Sequence, residues 1–200
     1  MPSDTRADHP FLLPIESAGA ARGGSGVDVT GTIEHGTLKV GDKGDLVGLQ
    51  RDNKAKCTKI MVMTDEGSKQ ADQAGPGDQC RVTLQGHIHS SAVEPGMVFA
   101  HPGSATAHVN FTAEIRVKPE DEGGKPITLS HNDRLEFALH SARETGVLQI
   151  PEGSISVKPG ETFQVEVHLL RPVVMWEGFA LRMRTSNRTT IGNGSVSKIL

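Results

Sequence analysis

The sequence predicts an all-β protein, and three observations carry that expectation. Glycine and proline, 23 and 11 of 200 residues, are scattered along the chain, where they punctuate it into short runs. Within those runs apolar and polar residues alternate with the period of a half-buried strand. The runs recur at regular spacing, which is the pattern of barrels and sandwiches.

In chain order, residues 27–34, 46–49, 56–63 and 80–85 read as the first strands. Residues 66–74 lack the alternation and leave room for a helical turn. The clearest strand places Val109, Phe111, Ala113, Ile115 and Val117 on one face and His108, Asn110, Thr112, Glu114 and Arg116 on the other, since successive side chains point to opposite sides of a sheet. Leu135, Phe137 and Leu139 repeat the pattern against Arg134, Glu136 and His140. So do Phe163, Val165, Val167 and Leu169 against Gln164, Glu166 and His168.

The length suits one large or two small domains, and punctuation favours two. Glu94-Pro95-Gly96 closes one set of strands, and His101-Pro102-Gly103 separates it from the run beginning at His108. The expected division is a tail over 1–9, one β unit over 10–102 and a second over 103–200. Val157-Lys158-Pro159-Gly160 echoes Val93-Glu94-Pro95-Gly96, a weak sign of duplication. Residues 1–102 hold 10 Lys+Arg against 13 Asp+Glu, whereas residues 103–200 hold 11 of each and seven of the eleven arginines.

A formal charge of -3 and a sequence pI near 6.3 argue against a generic nucleic-acid coat, and DNA is not an expected partner; any RNA contact must be local. No window approaches the ~18 consecutive apolar residues of a membrane-spanning helix, and the polar, acidic start is unlike a signal or transit peptide. Neither a membrane partner nor export is expected. Cys57 and Cys80 form no C-x-x-C pair and read as buried thiols in a reducing compartment.

Nucleotide signatures fail on inspection. Arg22-Gly23-Gly24-Ser25-Gly26-Val27 lacks the third glycine of a dinucleotide fingerprint and the last glycine of a serine nucleophile elbow. Gly36 to Lys43 has Asp42 where a Walker loop needs its Gly-Lys-Ser/Thr run. Asp45-Leu46-Val47-Gly48 and Asp121-Glu122-Gly123-Gly124 fit a bare D-x-x-G without an N-K-x-D partner. No GTP site of the usual kind is expected.

His87 and His89 would project from one strand face and could bite a metal if His101 or His108 approached. With no acidic or cysteine partner at diagnostic spacing, they read as solvent-facing and no metal is expected. Arg182 and Arg184 alternate with Leu181 and Met183, with Arg171 and Arg188 nearby; on an exposed face they could grip phosphate oxygens, or pair with carboxylates. Trp176, the one tryptophan, sits in the turn-like Met175-Trp176-Glu177-Gly178 as a partner contact or a packed corner.

Several segments together resemble bacterial and organellar elongation factor Tu, specifically its second and third domains. They are Pro10-Phe11-Leu12-Leu13-Pro14-Ile15-Glu16, Val29-Thr30-Gly31-Thr32-Ile33-Glu34-His35-Gly36, Leu38-Lys39-Val40-Gly41-Asp42, Asp121-Glu122-Gly123-Gly124, Thr145-Gly146, Pro151-Glu152-Gly153, Lys158-Pro159-Gly160 and Asn187-Arg188-Thr189-Thr190-Ile191-Gly192. The resemblance spans about residues 8–200 in order. It implies two consecutive antiparallel β-barrels, the first holding the aminoacyl end of tRNA and the second the T-stem and the exchange factor. It also implies a chain without the family's GTPase domain, and so a chain that is not an enzyme, with no catalytic residue and no cofactor expected.

In the implied aminoacyl pocket only Glu16 persists. Gly19 stands where the family has a stacking aromatic, and Met61 and Thr64 where it has a glutamate and an arginine. In the second barrel Lys125, Arg134 and Thr145 keep the T-stem positions, while Glu136 replaces a glutamine. The implied role is a translation-related tRNA-binding module with an eroded pocket. The alternative is a scaffold docking on a ribosome, an exchange factor or a GTPase partner. The implied compartment is the cytoplasm, or else the mitochondrial matrix.

Overall fold

The computed structural model describes residues 8–21, 25–49, 52–150 and 154–200. Three features named above therefore lie wholly or partly outside the described residues: most of the tail over 1–9, the glycine-rich run at 22–24 and the turn at 151–153. The chain divides into two compact units, Met1–Thr106 and Ala107–Leu200, and both are all-β, as the alternation predicts.

In the first unit the strands are β1 (Leu12–Pro14), β2 (Ser17–Ala20), β3 (Val27–Thr32), β4 (Leu38–Lys39), β5 (Lys43–Val47), β6 (Asn53–Thr64), β7 (Gly67–Ala71), β8 (Gln73–Ala74), β9 (Gln79–Gln85) and β10 (Val98–Ala100). Eight form one sheet in the order β1, β10, β5, β6, β9, β3, β2, with β7 beside β6. The first and last strands in that order are consecutive in the chain, and the sheet curls into a half-barrel. Hydrogen bonds from Leu12 N to His35 O and from Glu34 N to Leu12 O, both 2.9 Å, tie β1 to the segment that follows β3. The close crossing requires Gly31: a Cβ there would lie 2.0 Å from Pro14 O.

Inside this curl lie Leu13, Ile15, Val27, Val29, Leu46, Ile60, Val82, Leu84 and Phe99, all fully or almost fully buried. Phe11 packs on Phe99 with ring centroids 5.3 Å apart. A bulge between Cys57 and Lys59 in β6 switches which parity points inward. Ala55 and Cys57 face the core before it and Ile60 after it, because the extra residue flips the alternation.

Residues 66–74 hold strands rather than a helical turn. β7 runs antiparallel to the end of β6, and four of its five residues are exposed. An edge strand wet on both faces shows no apolar alternation, which is why the sequence hides it. The strand expected at 46–49 starts earlier and stops at Val47; Leu49 turns into the left-handed region with φ 59°.

The second unit comprises β11 (Ala107–Val117), β12 (Ile127–Ser130), β13 (Arg134–Leu139), β14 (Ala142–Gln149), β15 (Ser154–Val157), β16 (Thr162–Val174), β17 (Ala180–Arg184) and β18 (Thr190–Ile199). Six close into a barrel in the order β11, β16, β14, β13, β17, β18, while β12 and β15 pair apart. The predicted inward faces hold: Phe111, Ala113, Ile115, Phe137, Leu139, Val167 and Leu169 are buried. Phe111 and Phe137 meet edge to face, centroids 6.1 Å apart at 88°, the geometry favoured by the ring quadrupoles. Gly146 lies against this pair; a Cβ there would come within 2.7 Å of the Phe137 ring.

One inward position is charged. Glu144 on β14 is only 6% exposed and accepts from Arg171 on β16, Nη2 to Oε1 2.5 Å and Nε to Oε1 3.1 Å. A buried carboxylate is tolerated here because a guanidinium neutralises it with two donors.

Candidate nucleic-acid interface

The outer surface of the second barrel follows from its register. On β13 the outward residues are Arg134, Glu136 and Ala138; on β14 they are Val147, Thr145 and Arg143, directly opposite in that order. On the other side of β13, Arg184 stands opposite Glu136 and Arg182 opposite Ala138. Arg134, Arg143 and Arg182 are exposed, whereas Arg184 is half-buried.

Arg184 is not a free phosphate ligand. Its Nη1 lies 3.6 Å from Glu136 Oε1, and its Nε is buried without a hydrogen-bond partner. The carboxylate that replaces a glutamine by resemblance therefore sits between Arg184 and Thr145 and draws charge from one end of the face. Thr145 is half-buried in the same row. Lys125 lies elsewhere, in the loop before β12, where with Lys118, Gly124, Ile127 and Thr190 it borders a small depression of about 180 Å³.

The first unit's candidate residues do not converge. Glu16 sits in the bend between β1 and β2, exposed, its Oε1 accepting from Thr32 Oγ1 at 3.5 Å. Gly19 is bare, with open space above it. The neighbour of Glu16, Ser17, lies in a row with Thr30, Arg81 and Met61 across β2, β3, β9 and β6. That puts Met61 three strand spacings away, roughly 14 Å. Thr64 closes the β6–β7 turn by donating to Gly67 O at 2.9 Å. The row surface is knitted by short bonds, Ser17 Oγ with Thr30 Oγ1 at 2.5 Å and Thr83 Oγ1 to Asp28 Oδ1 at 2.6 Å. Hydroxyls satisfied by one another have less to offer a ligand.

His87 and His89 do not share a strand face. β9 ends at Gln85, and both histidines follow in a loop, where His89 caps a short 3-10 turn by accepting from Ser91 N. Among the described residues no group of three metal-ligating side chains converges. Trp176 packs against Phe179 at 4.8 Å and His140 at 5.5 Å between ring centroids, and still leaves 39% of its surface exposed. His140 turns into this cluster and stacks on Phe179 at 3.9 Å. No helix is long and apolar enough to cross a membrane among the described residues.

Burial pushes both cysteine thiols up to about 12, with help from Asp42 at Cys57 and from Asp78, Cys57 and Glu16 at Cys80. They are free and buried, and thiols so held are poor nucleophiles and poor metal ligands.

Residues 104–200 match the elongation factor Tu C-terminal domain. The match covers the closed six-stranded barrel and supports an elongation-factor-Tu-type domain for the second unit. With the curled first sheet, the all-β architecture agrees with the elongation factor Tu barrels. Lys125, Arg134, Thr145, Arg182 and Arg184 fall inside the matched span; Glu16, Gly19, Met61 and Thr64 do not. Sequence reasoning missed Arg143, whose signal is its place opposite Ala138 on a strand that a buried glutamate disguises.

Proposed function

We propose that this chain is a non-catalytic, elongation-factor-Tu-like tRNA-binding module whose second barrel does the binding and whose aminoacyl pocket is eroded. The observation that carries this reading is the outer face of β13, β14 and β17, where Arg134, Arg143 and Arg182 are exposed together. Arginines so displayed attract a phosphate backbone without reading sequence. In the first unit a bare Gly19 leaves no aromatic platform, and base stacking of that kind is worth ~1–3 kcal/mol. Discrimination between charged and uncharged tRNA is lost with it.

A second reading rests on Glu136. A carboxylate in the middle of the face repels phosphate, which favours a scaffold that keeps the barrels and docks on a ribosome, an exchange factor or a GTPase partner. On either reading the working compartment is the cytoplasm, with the mitochondrial matrix as the alternative.

Filter-binding titrations with aminoacylated and uncharged tRNA separate these readings. The tRNA reading gives equal, weak binding of ~10–100 micromolar at physiological salt, falling steeply as salt rises, and weaker still in Arg134→Ala. The scaffold reading gives none at any salt. A tight, salt-resistant preference for aminoacylated tRNA would overturn the eroded pocket.

A further inference from the structure

The outer rows of the second barrel are not equivalent. In one, Arg184, Glu136 and Thr145 follow one another across β17, β13 and β14, and the arginine is engaged by the carboxylate. In the next, the order across β18, β17, β13 and β14 is Asn193, Arg182, Ala138 and Arg143. Ala138 presents one methyl group where the row before presents Glu136. Arg182 and Arg143 therefore flank a gap two strand spacings wide, roughly 10 Å between their Cα atoms. Both are exposed, and among the described residues neither has a carboxylate within ion-pair distance.

The gap is the floor of a depression of about 560 Å³, lined by Arg182, Arg143, Ala138, Asn193 and His140, with the Glu136-paired Arg184 at its border. The His140 ring packs against Phe179, centroids 3.9 Å apart, on one side of the depression. We propose that this depression is a phosphoryl-binding site, with the anion seated over Ala138 between the Arg182 and Arg143 guanidinium groups and the Asn193 amide beside them. Two planar forks approaching from opposite sides need an acceptor with oxygens on opposite sides. A carboxylate presents both its oxygens in one direction and satisfies one fork; a tetrahedral phosphoryl group satisfies both.

This inference deepens the tRNA reading by naming where a phosphate sits, and it rests on that reading only for the carrier. The test is an amide and arginine side-chain chemical-shift titration of the isotope-labelled full chain, first with inorganic pyrophosphate and then with a short RNA duplex, at matched ionic strength. Pyrophosphate is expected to shift Ala138, Arg143, Arg182 and Asn193 saturably. Arg182→Gln and Arg143→Gln should each weaken it by ~10-fold or more, as for lost charge-assisted bonds, and Lys69→Gln, which removes an exposed charge from β7 in the first unit, should leave it unchanged. Ala138→Glu, which fills the gap with a carboxylate, should abolish it. All these changes are on the surface, and an unchanged far-UV circular dichroism spectrum shows that the fold survives.

If pyrophosphate and RNA shift the same residues, the site and its phosphodiester carrier both stand. If pyrophosphate binds there and RNA does not, the site stands for a free phosphate or small phosphate ester and the tRNA reading falls. Diffuse, unsaturable shifts with pyrophosphate, or binding indifferent to Arg182→Gln and Ala138→Glu, overturn the site whatever RNA does.

Discussion

The two units are built from the same kind of strand and bury the same kind of residue, yet their outer faces differ in chemistry. In the first, hydroxyl and carboxylate side chains bond to one another, Ser17 with Thr30 and Thr83 with Asp28. In the second, arginines from three strands stand out from the barrel with Glu136 drawing on Arg184. Inward alternation makes the fold and is shared. Outward residues decide what the fold can hold, and they are free to diverge because they do not pack.

The largest expected effect lies in what the units share. Phe137→Ala removes a fully buried ring from the Phe111 pair and should cost the second unit ~3–5 kcal/mol; guanidinium denaturation followed by Trp176 fluorescence measures it. A loss under ~1 kcal/mol would mean that the barrel core is not packed as described.

The first unit answers differently, through its cysteines. Both thiols are raised from 9.0 to about 12 in the folded chain. The unfolded chain therefore ionises first, and stability contributed below pH 9 is lost as pH rises toward 12. Replacing both by Ala should flatten that alkaline loss, read from denaturant midpoints at pH 8 and pH 10.5. In the native protein a disulfide reagent should react slowly with either thiol, and with both once the chain unfolds.

Much of this comparison was legible in the sequence. The inward faces of β11, β13 and β16 could be read from alternation alone, because each packs one side and wets the other. β7 could not, being wet on both sides, and neither could β14, whose buried Glu144 depends on Arg171, a partner 27 positions away. Arg182 and Arg184 looked equivalent as alternating residues. Only the register, which brings Glu136 to Arg184 and Ala138 to Arg182, separates a neutralised arginine from an available one. His87 and His89 looked like a strand pair from their spacing of two alone, although the strand read at 80–85 ends before them, as β9 does at Gln85.

The differences in the outer faces predict smaller effects. Glu136→Gln removes the carboxylate that holds Arg184 and should strengthen tRNA binding by ~2–5-fold, the scale of a partly exposed ion pair. Weaker binding in that variant would show that Glu136 assists rather than opposes. Glu16→Ala, in the first unit, should change tRNA affinity by less than ~2-fold, as expected of an exposed carboxylate outside the binding face. A larger loss would restore the first unit as a contact surface.

The most direct measurement maps where full-length tRNA protects the chain from amide hydrogen exchange at low salt. The account predicts protection over β13, β14 and β17, with β2, β3 and the end of β6 unchanged. Protection centred on residues 16–20 and 59–64, with the arginine face unchanged, would contradict it.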